Sequence, residues 1–173
     1  MCFSYLYPMK TLYIIRHGKS AWDNPSLKDH DRTLLPEGIE RTKKVAKFLA
    51  SKKIKPDLIV SSSATRAFET AKIIAHQLDY PEAYIRVETD IYDQGTAYLM
   101  ELLYGLPNEI SSVVLIGHNP TFTHFANKFM DKSVDALATT GTVSISFETE
   151  KWEELHLAPK ITNFVIVPKM LKH

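Results

Sequence analysis

Four side chains that could bind or attack a phosphoryl group lie just after predicted buried strands. Arg16 and His17 are adjacent, whereas Arg66 and His118 lie far from them along the chain. Guanidinium groups bind phosphate oxygens through paired hydrogen bonds, and a neutral imidazole can act as a nucleophile. Ligands of open α/β sheets bind at the carboxyl ends of the strands, so these groups are expected to meet there. We therefore predict that His17 attacks a phosphoryl group that the other three side chains share.

Two further residues next to His17 are candidates for contact with the phosphate. Gly18 would let the backbone turn sharply and approach a ligand, and Ser20 would either contact phosphate or end a turn. Arg66 falls in the first turn of a predicted helix if Ser63 caps it, where the helix dipole disfavours a cation. A phosphate at the same helix start would relieve that conflict, which indicates a functional reason for the arginine.

The elements that position these residues follow from hydrophobic periodicity. Apolar runs predict strands, and apolar residues at spacings of three and four predict helices between them. This alternation predicts an α/β fold: a three-layer α/β/α sandwich around a mainly parallel, mixed central sheet whose last strands form a hairpin. The predicted strands cover residues 12–15, 58–60, 84–87, 112–116, 142–147 and 164–167, and the predicted helices cover 36–49, 64–78, 96–104 and 120–129.

Length and composition place limits on the class of protein. The 173 residues, 45% hydrophobic, suit a single domain, which we assign to residues 9–173, with residues 1–8 as a disordered lead or a start upstream of Met9. A net charge of +1 and the lack of a long apolar run indicate neither a nucleic-acid nor a membrane partner. The single cysteine, Cys2, excludes an internal disulfide and a zinc cluster and favours the reducing cytoplasm.

A family resemblance joins these motifs. Arg16-His17-Gly18, then Arg66 within the run 62–71, then Gly117-His118-Asn119-Pro120, resembles the histidine phosphatase superfamily, which includes the phosphoglycerate mutases. The sequence is most similar to the short, SixA-like phosphohistidine phosphatase branch, over roughly residue 11 to the end. The resemblance implies a phosphoglycerate mutase-like fold and a phosphohistidine intermediate on His17. It also implies that Arg16 and Arg66 clamp the phosphoryl oxygens and that His118 donates to the transferred group.

The reactivity of the site can be predicted from this assignment. His17 must attack as neutral imidazole, so its other ring nitrogen is expected to donate to a backbone carbonyl. His118 is expected to work protonated, because a nearby dianion favours that form. No metal ion or other cofactor is needed, because the arginines supply the positive charge. The other histidines, at positions 30, 76, 124, 156 and 173, are given structural roles.

Departures from the family pattern bear on the substrate. The mutases carry an asparagine where this chain has Asp23, whose charge would repel phosphate, and the acid phosphatases carry an aspartate where this chain has Asn119. The mutases also use a glutamate to protonate the leaving oxygen. Asp93 and Glu101 match neither that glutamate nor the aspartate of the acid phosphatases, so the identity of any general acid stays open. An alkoxide needs a proton to leave, since water itself has a pKa of ~15.7, whereas imidazole has a conjugate-acid pKa of ~6.5. The absence of a dedicated acid therefore favours P–N over P–O substrates.

The function that fits best is a metal-independent phosphatase that hydrolyses phosphohistidine on another protein, such as a histidine phosphotransfer domain. Only 52 positions separate Arg66 from His118, which leaves no room for a large capping insert over the site. Two alternatives remain at this point. One is a phosphomonoesterase or mutase that acts on a small phosphorylated molecule, and the other is a non-catalytic phosphate-binding module.

Overall fold

A computed structural model of the chain describes residues 8–172, which form one six-stranded sheet covered by helices. The predicted lead over residues 1–8 lies outside the described residues except for Pro8, and the single-domain assignment stays a prediction. The strands are β1 (Met9–Arg16), β2 (Leu58–Ser62), β3 (Arg86–Glu88), β4 (Ser112–Gly117), β5 (Thr142–Glu148) and β6 (Lys160–Ile166). The helices are α1 (Pro36–Ser51), α2 (Thr65–Gln77), α3 (Thr96–Tyr104) and α4 (Thr121–Asn127).

The sheet is mixed and mainly parallel, as predicted. Its strand order is β3-β2-β4-β1-β5-β6. The first four of these strands are parallel, β5 is antiparallel to β1, and β6 is antiparallel to β5. The β5–β6 pair is the late hairpin that the sequence indicated.

Two hydrophobic clusters, one on each face of the sheet, make the fold a three-layer sandwich. Side chains alternate across a strand, so Leu12 and Ile14 of β1 face one cluster and Tyr13 and Ile15 face the other. The first cluster contains the apolar sides of α3 and α4, and the second contains those of α1 and α2. Within residues 8–172, no helix is long and apolar enough to cross a membrane.

The topology brings the predicted site residues to one edge. Strand β4 lies between β1 and β2, and all three run in the same direction. Ile116 of β4 lies level with Ile15 of β1 and Ser61 of β2, so the three strands end at nearly the same height. The segments that follow them therefore converge at one carboxyl edge.

Several predicted boundaries were wrong. Strand β3 begins two residues later than predicted because a short 3₁₀ turn, Glu82–Tyr84, occupies the start of the predicted run. Strand β6 begins four residues earlier than predicted, because pairing with β5 extends it through polar residues at the sheet edge. Helix α4 ends two residues early, at Asn127, whose side chain turns back to bond the main chain of Val134.

Candidate active site

An open cavity of about 610 Å³ lies at the carboxyl edge of the sheet, and Arg16, His17, Arg66 and His118 all line it. The structure thus brings together four residues from three separate segments. The two imidazole rings lie 5.1 Å apart between centroids. Arg66 bridges them, with its Nε 3.3 Å from His17 Nε2 and its Nη2 3.5 Å from His118 Nδ1.

His17 is held as a neutral ring with a defined tautomer. Its Nδ1 lies 2.7 Å from the carbonyl oxygen of Gly18, which can only accept, so Nδ1 carries the proton. Burial, opposed in part by the hydrogen bond to Gly18 and assisted by the positive charges of Arg66, Arg16 and Arg32, lowers the pKa of His17 to about 4. Near neutral pH the ring therefore keeps the Nε2 lone pair that nucleophilic attack requires. The backbone hydrogen bond is the one that the sequence predicted.

Gly18 has a structural reason to be glycine that differs from the predicted one. Its φ is not positive, so no unusual turn demands it. A Cβ would lie 2.7 Å from Thr42 Oγ1 and 3.1 Å from Leu34 Cδ2, so close packing excludes a side chain. Its N–H already donates to Thr70 Oγ1 at 2.9 Å. Gly18 therefore acts on His17 through its carbonyl, and its N–H is engaged away from the cavity.

Arg16 presents an unsatisfied donor beside the cavity. Its Nη1 donates to the carbonyl oxygen of Leu137 at 2.9 Å, which fixes the guanidinium in position. Its Nε is buried and has no hydrogen-bond partner among the described residues. Because buried polar groups are nearly always paired, this unpaired donor is unusual, and the Arg16 side chain lines the cavity, where its guanidinium can bind an anion.

Arg66 occupies the second position of α2 but is not arranged by the predicted cap. The residue before the helix is Ala64, and Ser63 instead accepts or donates a hydrogen bond with His30 Nε2 at 2.9 Å. Ser62 is the serine that binds the helix start, through the N–H of Ala64 at 3.2 Å. The N-cap position of α2 is therefore Ala64, one residue after the Ser63 that the sequence suggested, because the chain is still extended at Ala64.

Burial favours the neutral form of His118, whereas the protonated form that we predict for it assumes a phosphoryl dianion beside the ring and stays a prediction. Burial and the positive charge of Arg66 lower the pKa of His118 to about 3. Its Nε2 lies 2.7 Å from Ser62 Oγ, and its Nδ1 faces Arg66. Since Arg66 can only donate, Nδ1 is the acceptor and Nε2–H donates to the serine. A phosphoryl dianion beside Nδ1 would favour protonation there.

Asp29, which no motif in the sequence marked, is the carboxylate that binds the cations of the site. Asp29 Oδ2 accepts from Arg66 Nη2 at 3.1 Å and from the Tyr92 hydroxyl at 2.5 Å, and Oδ1 accepts from Arg32 Nε at 3.0 Å. Its backbone carbonyl also accepts from Arg66 Nη1 at 2.7 Å. The Tyr92 hydrogen bond and the two arginines lower the pKa of Asp29 to about 2 despite partial burial. The group is therefore an ionised acceptor near neutral pH.

Arg32 and Trp22 complete the outer side of the cavity. The Arg32 guanidinium lies 3.5 Å from the centroid of the Trp22 ring, and 78% of Trp22 is exposed. Arg32 Nη1 also donates to Ser20 Oγ at 2.9 Å. Ser20 therefore lines the cavity with its hydroxyl oxygen already bound to an arginine, and its predicted contact with phosphate stays a prediction. The contacts of Arg32 with Asp29 and Trp22 could not be predicted, because all three residues lie in a loop whose sequence has no periodic pattern.

The candidate general acids of the sequence analysis do not reach the cavity. Asp23 and Asp93 are exposed, and neither they nor Glu101 line it. Asn119 does line it, but its Oδ1 accepts from the N–H of Thr123 at 3.2 Å and its Nδ2 donates to Leu137 O at 2.8 Å. Asn119 thus binds the start of α4, as expected of a capping residue, and an amide supplies no acidic proton.

Comparisons with known proteins agree with this site. The profile of the histidine phosphatase superfamily (branch 1) matches residues 12–91. An uncharacterized chloroplastic protein of Arabidopsis thaliana is 33% identical over 154 residues, which cover 84% of this chain and 70% of that protein. The chain therefore belongs to the histidine phosphatase superfamily, and this membership supports phosphatase activity.

Solved structures confirm the fold. The SixA protein of Agrobacterium tumefaciens superimposes with a TM-score of 0.77 at 23% identity, covering 92% of this chain and 98% of that one. The protein histidine phosphatase SixA complexed with tungstate gives a TM-score of 0.75 at 21% identity, covering 94% and 99%. The predicted phosphoglycerate mutase-like architecture of the SixA type is thus confirmed.

Proposed function

We propose that this protein is a metal-independent phosphatase that hydrolyses phosphohistidine on another protein through a phosphohistidine intermediate on His17. The observation that carries the proposal is the state of Asp29. Among residues 8–172 it is the only carboxylate that lines the cavity, and its pKa of about 2 keeps it ionised. A carboxylate without a proton cannot protonate a leaving group, which favours a substrate whose leaving group needs no such help.

Imidazole is a leaving group of this kind. An alkoxide from a phosphate ester must be protonated as it leaves, because its conjugate acid is about as weak as water, with a pKa near ~15.7. The ring nitrogen of a phosphohistidine that does not carry phosphorus can already be protonated, since histidine titrates near ~6.5. When the P–N bond breaks, such a ring departs as neutral imidazole. This argument favours phosphohistidine over sugar phosphates and phosphoserine.

The first step exchanges one P–N bond for another. The Nε2 lone pair of His17 forms a bond to phosphorus, and the electrons of the substrate P–N bond return to the leaving ring. The proton stays on His17 Nδ1, which continues to donate to the Gly18 carbonyl, and His17 becomes a positively charged, phosphorylated ring. The leaving ring likewise keeps its own proton and becomes neutral. Before and after the transfer there is one protonated phosphohistidine and one neutral imidazole, so no proton has to move.

The second step returns His17 to its starting state. Water attacks phosphorus, the His17 P–N bond breaks, and its electrons return to Nε2. The water protons leave with the product as dihydrogen phosphate, which then equilibrates with solvent. The Gly18 carbonyl holds the Nδ1 proton throughout, so the same hydrogen bond serves attack and departure. The leaving group in this step is again an imidazole that needs no acid.

The arginines and His118 would stabilise charge on the phosphoryl oxygens during both steps. Phosphoryl transfer depends mainly on positioning and on electrostatic stabilisation of the equatorial oxygens. The guanidinium of Arg16 lines the cavity, and Arg66 can turn Nη2 from Asp29 toward an incoming anion. Three arginines line the cavity, which supplies the positive charge that a metal ion provides in other phosphatases.

The open cavity supports a protein substrate. Its lining includes the exposed Trp22 and the exposed Asp29. A histidine side chain on the surface of another protein, such as a histidine phosphotransfer domain, would have access to His17. The cytoplasm is proposed as the location from the single cysteine, although the Arabidopsis thaliana relative is chloroplastic.

The intermediate can be tested by brief incubation with a radiolabelled phosphohistidine peptide, followed by rapid quenching in alkali and mapping of the label. We expect an acid-labile label on His17 that is absent from His17→Ala. The exposed, distant His124→Ala serves as the matched control and should label normally. Normal turnover by His17→Ala would refute the nucleophile assignment.

The substrate class needs a separate comparison. The rate on a phosphohistidine peptide should exceed the rates on phosphoserine peptide and sugar phosphates by at least ~10²-fold, because only the ester leaving groups need a proton. A preference for sugar phosphates would favour the small-molecule phosphomonoesterase alternative. Binding of phosphate without any turnover would instead favour the non-catalytic module.

A further inference from the structure

A second cavity adjoins the active site and is lined by basic residues. Thr139 lines both cavities, and the second, of about 490 Å³, also contains Arg41, Lys44 and Lys169. A third cavity, of about 420 Å³, shares Lys44 and Leu171 with the second. The three cavities are thus neighbours that follow one another from His17 along helix α1. We define the basic groove as the second and third cavities together.

The groove is strongly cationic. Six basic side chains line it, against the single acidic side chain of Glu40, and Glu37 adds a second carboxylate at its border through an ion pair with Arg41. The groove therefore carries a formal charge of +4 in a chain whose total is +1. The six basic residues are Arg41, Lys43, Lys44, Lys47, Lys169 and Lys172.

Most of these cations are free to meet a partner. Lys43 pairs with Glu40 at 3.2 Å, and Arg41 pairs with Glu37. Lys44, Lys47, Lys169 and Lys172 form no ion pair with any of residues 8–172. Lys47 and Lys169 are exposed, and Lys44 is half-buried with its stem along the groove. Four like charges close together are unfavourable unless counter-charges approach them.

The position of the groove relates it to the catalytic cavity. Helix α1 begins beside the active site, where the N–H of Leu35 donates to the carbonyl oxygen of Lys19 at 2.9 Å. Arg41, Lys44 and Lys47 follow at intervals of three, so they form a stripe along one side of the helix. From Arg41 to Lys47 the helix rises ~9 Å, at ~1.5 Å per residue. A ligand that fills the groove while its phosphate lies at His17 must span both the active-site cavity and this stretch of α1.

We infer that the basic groove docks an acidic surface of the phosphoprotein substrate, next to its phosphohistidine. This inference rests on the proposed function and specifies the substrate as a protein whose phosphohistidine is flanked by carboxylates. Charge complementarity at an interface acts mainly by steering association and selecting the partner. A single-stranded nucleic acid is less suited, because the groove's aromatic residue, Phe48, is half-buried and packs edge-on against Phe164.

Two synthetic peptides test the inference. Both contain one phosphohistidine, flanked by aspartate and glutamate in one peptide and by lysine in the other. At low ionic strength the wild type should hydrolyse the acidic peptide with about tenfold higher kcat/KM, mostly through a lower KM. The preference should shrink in high salt, because exposed charges are screened beyond a Debye length of ~10 Å at ~0.1 M.

Charge-reversal variants locate the effect. Lys44→Glu combined with Lys169→Glu should abolish the acidic preference but leave kcat/KM for N-phosphoimidazole unchanged, since that small substrate reaches only the active site. The control, Lys132→Glu combined with Lys151→Glu, reverses two exposed charges outside the groove and should keep the preference.

The outcomes separate the two proposals. Equal rates on both peptides overturn the docking inference, while continued hydrolysis keeps the phosphohistidine phosphatase. Binding of a single-stranded oligonucleotide that the Lys44→Glu and Lys169→Glu pair abolishes, with peptide rates unchanged, also overturns it. No hydrolysis of either peptide or of N-phosphoimidazole overturns the proposed function itself.

Discussion

Acidification should destabilise this protein through His17 and His118, because both rings stay neutral in the folded state. The pKa of His17 is lowered to about 4 and that of His118 to about 3, whereas histidine in an unfolded chain titrates near ~6.5. As the pH falls below ~6.5, the unfolded state binds protons that the folded state does not. The free energy of unfolding therefore falls until the pH passes each folded pKa.

The magnitude follows from these values. One pKa unit corresponds to ~1.4 kcal/mol, so between pH ~7.5 and ~5 each ring should lower the free energy of unfolding by ~2 kcal/mol. The two rings together should account for ~4 kcal/mol, a large share of the stability of an ordinary domain. Asp29 does not contribute in this range. Its folded pKa of about 2 and its unfolded value both lie below pH ~5.

Urea unfolding at the two pH values measures this loss. His17→Gln and His118→Gln remove one titrating ring each, so each variant should lose ~2 kcal/mol less than the wild type between pH ~7.5 and ~5. His124→Gln, at an exposed position on α4, is the control and should behave as the wild type does. If both site variants lose as much stability on acidification as the wild type, the rings are not held neutral. The argument for a neutral nucleophile would then be wrong.

Three substitutions test other parts of the site. Asp29→Asn removes the charge that pairs with Arg66, so inorganic phosphate should inhibit up to ~10-fold more tightly in steady-state assays, and unchanged or weaker inhibition would contradict this. Arg66→Lys loses the planar fork, so kcat/KM should fall at least ~10²-fold while the thermal midpoint changes little; near-normal activity would show that a point charge suffices. Gly18→Ala places a methyl group against Thr42 Oγ1 and should cost ~1–3 kcal/mol in urea unfolding, so full stability would refute the packing explanation.

The sequence was informative wherever function lies at the end of a regular element. Apolar runs located β1, β2 and β4, and their parallel pairing follows from the helices between them. Arg16, Arg66 and His118 could therefore be placed at one edge without knowledge of side-chain geometry. The strand order, which brings β4 between β1 and β2, is what turns this shared edge into a single cavity.

Residues on irregular segments could not be predicted in the same way. Asp29 and Tyr92 are 63 positions apart, and each lies in or just after a short 3₁₀ turn within a loop. Their hydrogen bond depends on how the two loops return to the sheet edge, where Ile91 is buried as an anchor. No periodicity marks such a contact, because it arises from tertiary packing rather than from local preference. The basic groove was missed for a similar reason, since Lys169 lies far along the chain from α1.

The protonation states of His17 and His118 could not be predicted from the sequence, because burial is their main determinant. The protonated form predicted for His118 assumes a dianion beside the ring, whereas burial of the residue, which is 8% exposed, favours the neutral form. Burial likewise favours the neutral form of His17, which a nucleophile requires. Burial therefore supports the predicted neutral His17 and works against protonation of His118.

The two histidines nevertheless have different fates once a phosphoryl group is transferred. In the proposed intermediate, Nε2 of His17 is bonded to phosphorus and Nδ1 already carries a proton, so this ring can accept no further proton. His118 Nδ1 faces Arg66 Nη2 at 3.5 Å, while its Nε2–H remains on Ser62 Oγ in either protonation state. Asp29 favours the charged form of His118, which opposes part of the effect of burial. Of the two rings, only His118 can therefore take up a proton in the intermediate, at Nδ1 once Arg66 Nη2 turns away, and from there donate it to a phosphoryl oxygen.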